Sequence, residues 1–134
     1  MSYTRLRYHI ISGTAGGEDL ITPEVKPVLY GTLQNKAQEQ GGKLLKIGGI
    51  PNHVHCLAII PPTVPVATFV QTIKNSSSGA VNKAHIVDFA FSWQKGYGAL
   101  TVNPFDMERL IAYIGHQPHH HATNTLIAAY ERME

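Results

Sequence analysis

One cysteine, Cys56, stands in the 134-residue chain, which excludes an internal disulfide and suits a reducing cytoplasm. Charge is scarce too: 15% of the residues are Asp, Glu, Lys or Arg, against about 25% in an ordinary soluble protein. The net charge of +2 is too small to point to a nucleic-acid partner by itself. No apolar run approaches the roughly 20 residues that a membrane-spanning helix needs. The N-terminus lacks a signal-peptide pattern, and internal repeats are absent. These absences leave one soluble, cytoplasmic domain over residues 1–134, long enough for a single core. A chain with so little charge often hides part of its surface in an oligomer.

Histidine, by contrast, is plentiful, with eight residues. The elements that carry them can be read from spacing. Residues 3–12 are β-prone, and Gly13–Gly17 breaks that strand. Thr22 and Pro23 open a helix as N-cap and first residue. Val25, Val28, Leu29, Leu33 and Ala37 follow at helical spacing, and Gly41–Gly42 stops it. Leu44–Ile50 and His53–Ile60 read as strands around a Pro51–Asn52 corner. A second helix begins near Pro65, with Val66, Phe69, Val70 and Ile73 as its buried stripe. Phe89–Gln94 and Tyr97–Asn103 predict another hairpin, turning at Lys95–Gly96. After Pro104, Met107, Leu110, Ile111 and Ile114 mark a third helix. The order β-α-β-β-α-β-β-α predicts an α+β fold, an antiparallel sheet with helices packed on one face.

Three stretches can carry chemistry. In His53-Val54-His55, residues i and i+2 of a strand point to one face. Two neutral imidazoles so placed can bind one divalent ion; alternatively they are a solvent-facing pair on an edge strand. Tyr113 and Gln117 are i and i+4 on the third helix, hence neighbours. They fit a nucleophile and a neutral metal ligand, or simply the boundary of an amphipathic helix. A free phenol titrates near pH 10, so a nucleophilic Tyr113 needs activation. In His119-His120-His121 adjacent side chains diverge, which favours weak phosphate binding over metal ligation. Lys74-Asn75-Ser76-Ser77-Ser78-Gly79 offers a lysine and hydroxyls to phosphate, or is an ordinary polar helix end. Trp93, Tyr97 and Phe105 can stack on bases or pack in a core.

Taken in order, these pieces resemble the single-tyrosine transposases of the HUH superfamily, which the smallest bacterial insertion sequences encode, and their repeat-associated relatives. His53-Val54-His55 matches the motif of two histidines around a hydrophobic residue, and Tyr113 with Gln117 matches the tyrosine and glutamine of a late helix. Tyr8-His9, Ile73-Lys74-Asn75-Ser76-Ser77, Trp93-Gln94-Lys95-Gly96-Tyr97 and His120-His121 agree as well. The likeness runs from about residue 8 to about 131. It implies a ferredoxin-like sheet with a late helix carrying the tyrosine, and a homodimer with shared active sites. It also implies Mg2+ or Mn2+ held by His53, His55 and Gln117, with Tyr113 cutting hairpin-bearing single-stranded DNA through a 5′-phosphotyrosine intermediate. Arg5, Arg7, Lys74, Ser76, Ser77, His120 and His121 are the candidates for gripping DNA, with Lys43, Lys46 and Lys83 as further cations.

Two features depart from the family. Ser12–Gly17 carries none of the basic residues usual after the first strand, and Asn52 stands where many relatives have aspartate. The rival readings are a domesticated relative that binds or nicks hairpin-forming strands without transposing, a nucleic-acid-binding module without chemistry, and a zinc hydrolase using water. The last is disfavoured because no carboxylate neighbours the histidine pair.

Overall fold

The computed structural model describes residues 2–123 and 126–133. Four strands, β1 (Arg7–Gly13), β2 (Lys43–Ile50), β3 (His53–Ile59) and β4 (Gly98–Thr101), form one sheet. Its order is β2-β3-β1-β4, and every neighbouring pair is antiparallel. The helices are α1 (Val25–Glu39), α2 (Val66–Ala84), α3 (Met107–Gly115), α4 (Gln117–Thr123) and α5 (Ala128–Glu131). The expected α+β class is thus observed. Among the described residues, no helix is long and apolar enough to cross a membrane.

The alternation of β3 divides the molecule. Val54, Cys56 and Ala58 face the main core, where Val25, Leu29, Leu33 and Ala37 of α1 meet Phe69, Val70, Ile73 and Val81 of α2. His53, His55 and Leu57 face the other way, and Leu57 packs there with Leu110 and Ile114 of α3. The two long helices share one face as expected. The tyrosine helix lies on the opposite face, because its apolar stripe finds Leu57 and Leu45 there. β3 is consequently covered on both sides, and the histidine pair is not on an edge strand.

The start of α1 matches expectation: the amide of Val25 donates to Thr22 Oγ1 at 3.3 Å, and Gly41 ends the segment with φ of 83°. The second expected hairpin does not form. Of its two expected strands the second forms as β4, paired with β1, while Phe89–Gln94 contributes one isolated bridge, Thr14 to Trp93. The Asn82 side chain occupies both backbone groups of Phe91, accepting from its amide at 2.7 Å and donating to its carbonyl at 2.9 Å. A strand there would need those groups for a ladder.

The third expected helix is also interrupted. α3 ends at Gly115 and α4 begins at Gln117, so Tyr113 and Gln117 lie on successive helices. Pro118 has no amide to return to Ile114, the residue four positions back. The Ile114 carbonyl instead lies over Gly48 of β2, where a Cβ would collide with it. Gly48 therefore sets how closely the tyrosine helix approaches the sheet. Gly48→Ala should cost about 1–3 kcal/mol of stability by overpacking, measurable by urea unfolding. An unchanged midpoint would show that α3 does not depend on this approach.

Candidate active site

Both histidines of β3 are buried, His53 at 6% exposure and His55 at 0%. Each has one ring nitrogen occupied behind it. His53 Nδ1 donates to Asn52 Oδ1 at 2.8 Å, which leaves Nε2 with its lone pair. His55 Nδ1 shares a 2.8 Å hydrogen bond with Nε2 of His9 on β1. If His55 donates, its Nε2 is likewise free to act as a ligand, and His9 carries its own proton on Nδ1. That His9 atom is buried without a hydrogen-bond partner. Burial, then the neighbouring His55, pushes the His9 pKa down to about 3, so the ring is neutral and can accept. Burial also lowers His55, against its bonds to Glu131. Outer partners of this kind fix the tautomer and direction of metal-binding imidazoles.

Tyr113 and Gln117 reach the same place despite the helix break. Gln117 is fully buried, and its Oε1 lies 3.3 Å from His53 Nε2 and 3.1 Å from His121 Nε2. The Tyr113 ring stands edge-on to His55 at 6.0 Å between centroids. His120 stacks on Tyr113 at 4.6 Å, and His121 Nε2 lies 3.2 Å from His53 Nε2. The triple histidine therefore diverges as expected, but two of its members turn into the site. The tyrosine beside the histidines belongs to the same chain.

Glu131, on α5, is the member that sequence reasoning missed. Its Oε1 lies 3.2 Å from Nε2 of both His53 and His55, and 3.6 Å from His121 Nε2. Its Oε2 accepts from the Tyr113 hydroxyl and from Gln117 Nε2 at 3.4 Å. Burial would raise its carboxyl pKa, but the bonds from His53, His55 and Tyr113 outweigh that and hold it well below the ordinary range. Tyr113 moves the other way: burial, with the bond to Glu131, raises its phenol. No local signal marked Glu131, because it stands 76 residues beyond His55.

These donors suit a divalent ion. His53, His55 and Glu131 offer ligand atoms that all lie within 4.8 Å of one another, and the amide oxygen of Gln117 adjoins them. Donors bound side by side on one ion, with bonds of about 2.1 Å, stand about 3 Å apart. The 3.2 Å and 3.3 Å separations here are close to that value. Imidazole nitrogen mixed with amide and carboxylate oxygen fits manganese well, and magnesium less readily.

Comparison with known proteins bears on the family and the fold. Residues 2–117 match the model of the family described as "Transposase IS200 like". The fold is similar to that of a candidate transposase from Deinococcus radiodurans R1, with a TM-score of 0.69 and 24% identity, covering 85% of this chain and 92% of that one. It is also similar to the REP-associated tyrosine transposase bound to a REP hairpin, with a TM-score of 0.67 and 16% identity, covering 90% of this chain and 74% of that one. None of the curated proteins matches the chain.

The residues expected to grip DNA are scattered. Arg7 lies on the histidine face of β1, two residues before His9, and Arg5 is exposed with Nε donating to the Tyr3 hydroxyl at 2.5 Å. Ser76 is half-buried on α2. Lys74 and Ser77 are buried and engaged within the fold. Lys74 Nζ donates to the carbonyls of Gln94 and Gly96 at 2.9 and 2.6 Å, and burial lowers its pKa. Ser77 Oγ donates to the Lys74 carbonyl and accepts from Trp93 Nε1 at 3.1 Å. Trp93 and Tyr97 border a cavity of about 470 Å³ between α2 and the 92–97 loop, and Phe105 is almost fully exposed. Lys74 is thus a strut that ties this loop to α2. Lys74→Met, which orphans two carbonyls, should destabilise the chain by about 1–3 kcal/mol, read from chemical denaturation. Full stability with weakened DNA binding would instead return Lys74 to the phosphate-binding role.

Proposed function

Because the chain belongs to the IS200-like transposase family, we propose that it cleaves and rejoins single-stranded DNA through a 5′-phosphotyrosine intermediate on Tyr113. The observation that carries this reading is the Tyr113 hydroxyl held beside two back-supported histidines in one buried cluster. His53, His55 and Gln117 would hold a divalent ion, magnesium or manganese. Such an ion would withdraw charge from a non-bridging oxygen of the scissile phosphate.

The chain's own groups do the rest. Asn52 and His9 keep the imidazoles turned with Nε2 toward the site. His120 stacks on the Tyr113 ring and limits its rotation. Tyr113 Oη forms a bond to phosphorus as the bond from phosphorus to the 3′-oxygen breaks. Glu131 Oε2 holds the Tyr113 hydroxyl by its hydrogen bond; the phenolic proton passes to solvent, and the 3′-oxygen takes a proton from solvent to end as a free hydroxyl. The phosphotyrosine link keeps the energy of the broken bond, so another 3′-hydroxyl can displace Tyr113 and join strands without an external energy source.

Single-stranded DNA suits a site set among the sheet, α3 and α4, which cannot enter a duplex. A hairpin near the cut is supported by the relative whose structure holds one. Arg7, on the histidine face of β1, and the exposed Arg5 would meet the backbone, and Ser76, His120 and His121 are further candidates. One nucleophilic tyrosine per chain suits a homodimer that makes two cuts, and the outermost strand β4 with exposed Phe105 would offer surface for it. Such an enzyme would work in the cytoplasm.

Glu131 gives weight to one rival. A carboxylate does stand beside the histidine pair, so the want of one no longer counts against a hydrolase with water as nucleophile. The two readings part at Tyr113. Single-stranded DNA covering both flanks of the gene, incubated with protein and manganese, should give a labelled band at protein mass on a denaturing gel. The band should vanish with chelator, in Tyr113→Phe and in His53→Ala. Cleavage that survives Tyr113→Phe without an adduct would establish the hydrolase, and binding without cleavage would leave only a binding module.

A further inference from the structure

We propose that Glu131 is a metal ligand brought by the C-terminal segment 127–133, and that the same carboxylate holds the Tyr113 hydroxyl beside the ion. The proposal rests on the metal-dependent reading above and adds a part that no local motif contains. One carboxylate has two oxygens with separate tasks here. Oε1 is equidistant from the two histidine ligand atoms, at 3.2 Å from each, while Oε2 takes the Tyr113 hydroxyl. Any ion seated between the histidines would therefore meet Oε1, and the nucleophile would be tethered one carboxylate away.

The seat for this segment is built into the sheet. Gly98 of β4 and Gly13 of β1 face it. A Cβ on Gly98 would run into the Arg132 carbonyl, and one on Gly13 would stand 3.0 Å from Met133 Sδ. The Ile127 amide donates to the Tyr113 hydroxyl at 3.0 Å. The Tyr130 ring stands edge-on to both His9 and Tyr113, at 5.2 Å from each. Segment, nucleophile and histidines thus form one packed unit. A divalent ion at Oε1 would offset the charge of a carboxylate only 17% exposed. Metal binding and ordering of the segment should consequently strengthen each other.

The opposite view is a plug, in which the carboxylate fills the ion's place and must leave before metal and phosphate enter. Manganese binding to the full-length chain separates the two, followed by calorimetry or by loss of the free-ion paramagnetic resonance signal. Glu131→Gln keeps the shape of the side chain, and melting in chelator checks that each variant is folded. Manganese affinity should fall about tenfold or more in Glu131→Gln and Glu131→Ala, and in His53→Ala as well. Amide exchange across residues 127–133 should slow on adding manganese to the wild type, with no such change in Glu131→Gln. Undiminished affinity in both Glu131 variants, with binding lost in His53→Ala, would overturn the ligand role alone. Tighter binding in Glu131→Ala would establish the plug. Undiminished affinity in His53→Ala would bring down the metal site itself, and the reading on which this inference stands.

Discussion

A neutral imidazole inside a protein needs something to do with both ring nitrogens, and His53 and His55 stand in a strand whose two faces are both covered. One nitrogen of each is satisfied from behind, by Asn52 and by His9. The other is turned toward a shared space, where it meets Gln117, His121 and Glu131. The cost of burying polar atoms is thereby turned into a directed pair of donors. The main core on the far side of β3 supports the arrangement, since Val54 and Cys56 alternate with the histidines and anchor the strand against α1 and α2.

The tyrosine depends on that pair for its surroundings and on backbone contact for its position. Gly48 lets the end of α3 rest on β2, and Pro118 leaves the Ile114 carbonyl free to lie there. The break between α3 and α4 then carries Gln117, His120 and His121 round the same side. A continuous helix would also keep Tyr113 and Gln117 neighbours, as residues four apart. The break adds the freedom to turn His120 onto the phenol and His121 onto His53.

Lys74 shows how a residue type can mislead. A lysine followed by four asparagine and serine neighbours can read as a phosphate cradle, yet its stem lies in the interior and its ammonium serves two loop carbonyls. The alternation of Phe89, Phe91 and Trp93 misleads in a similar way. It reports burial beside α2, with Asn82 taking the backbone groups that a strand partner would need. Apolar periodicity reports which side chains are inside, and hydrogen bonding from elsewhere in the chain decides whether the backbone becomes a strand.

Local spacing alone determined the two central strands, the two long helices, and the projection of His53 and His55 to one face, because those depend on periods of 2 and 3.6 residues. It also brought Tyr113 and Gln117 together, and the order of the motifs carried the family. Tertiary structure decided what spacing does not encode. It put the tyrosine helix on the face away from α1 and α2, buried the histidine pair on both sides, and took Lys74 and Ser77 into the fold. It also delivered Glu131 across 76 residues. That last placement comes from a turn of chain closing over glycine-bare strands, and contacts so distant in sequence leave no periodic trace in it.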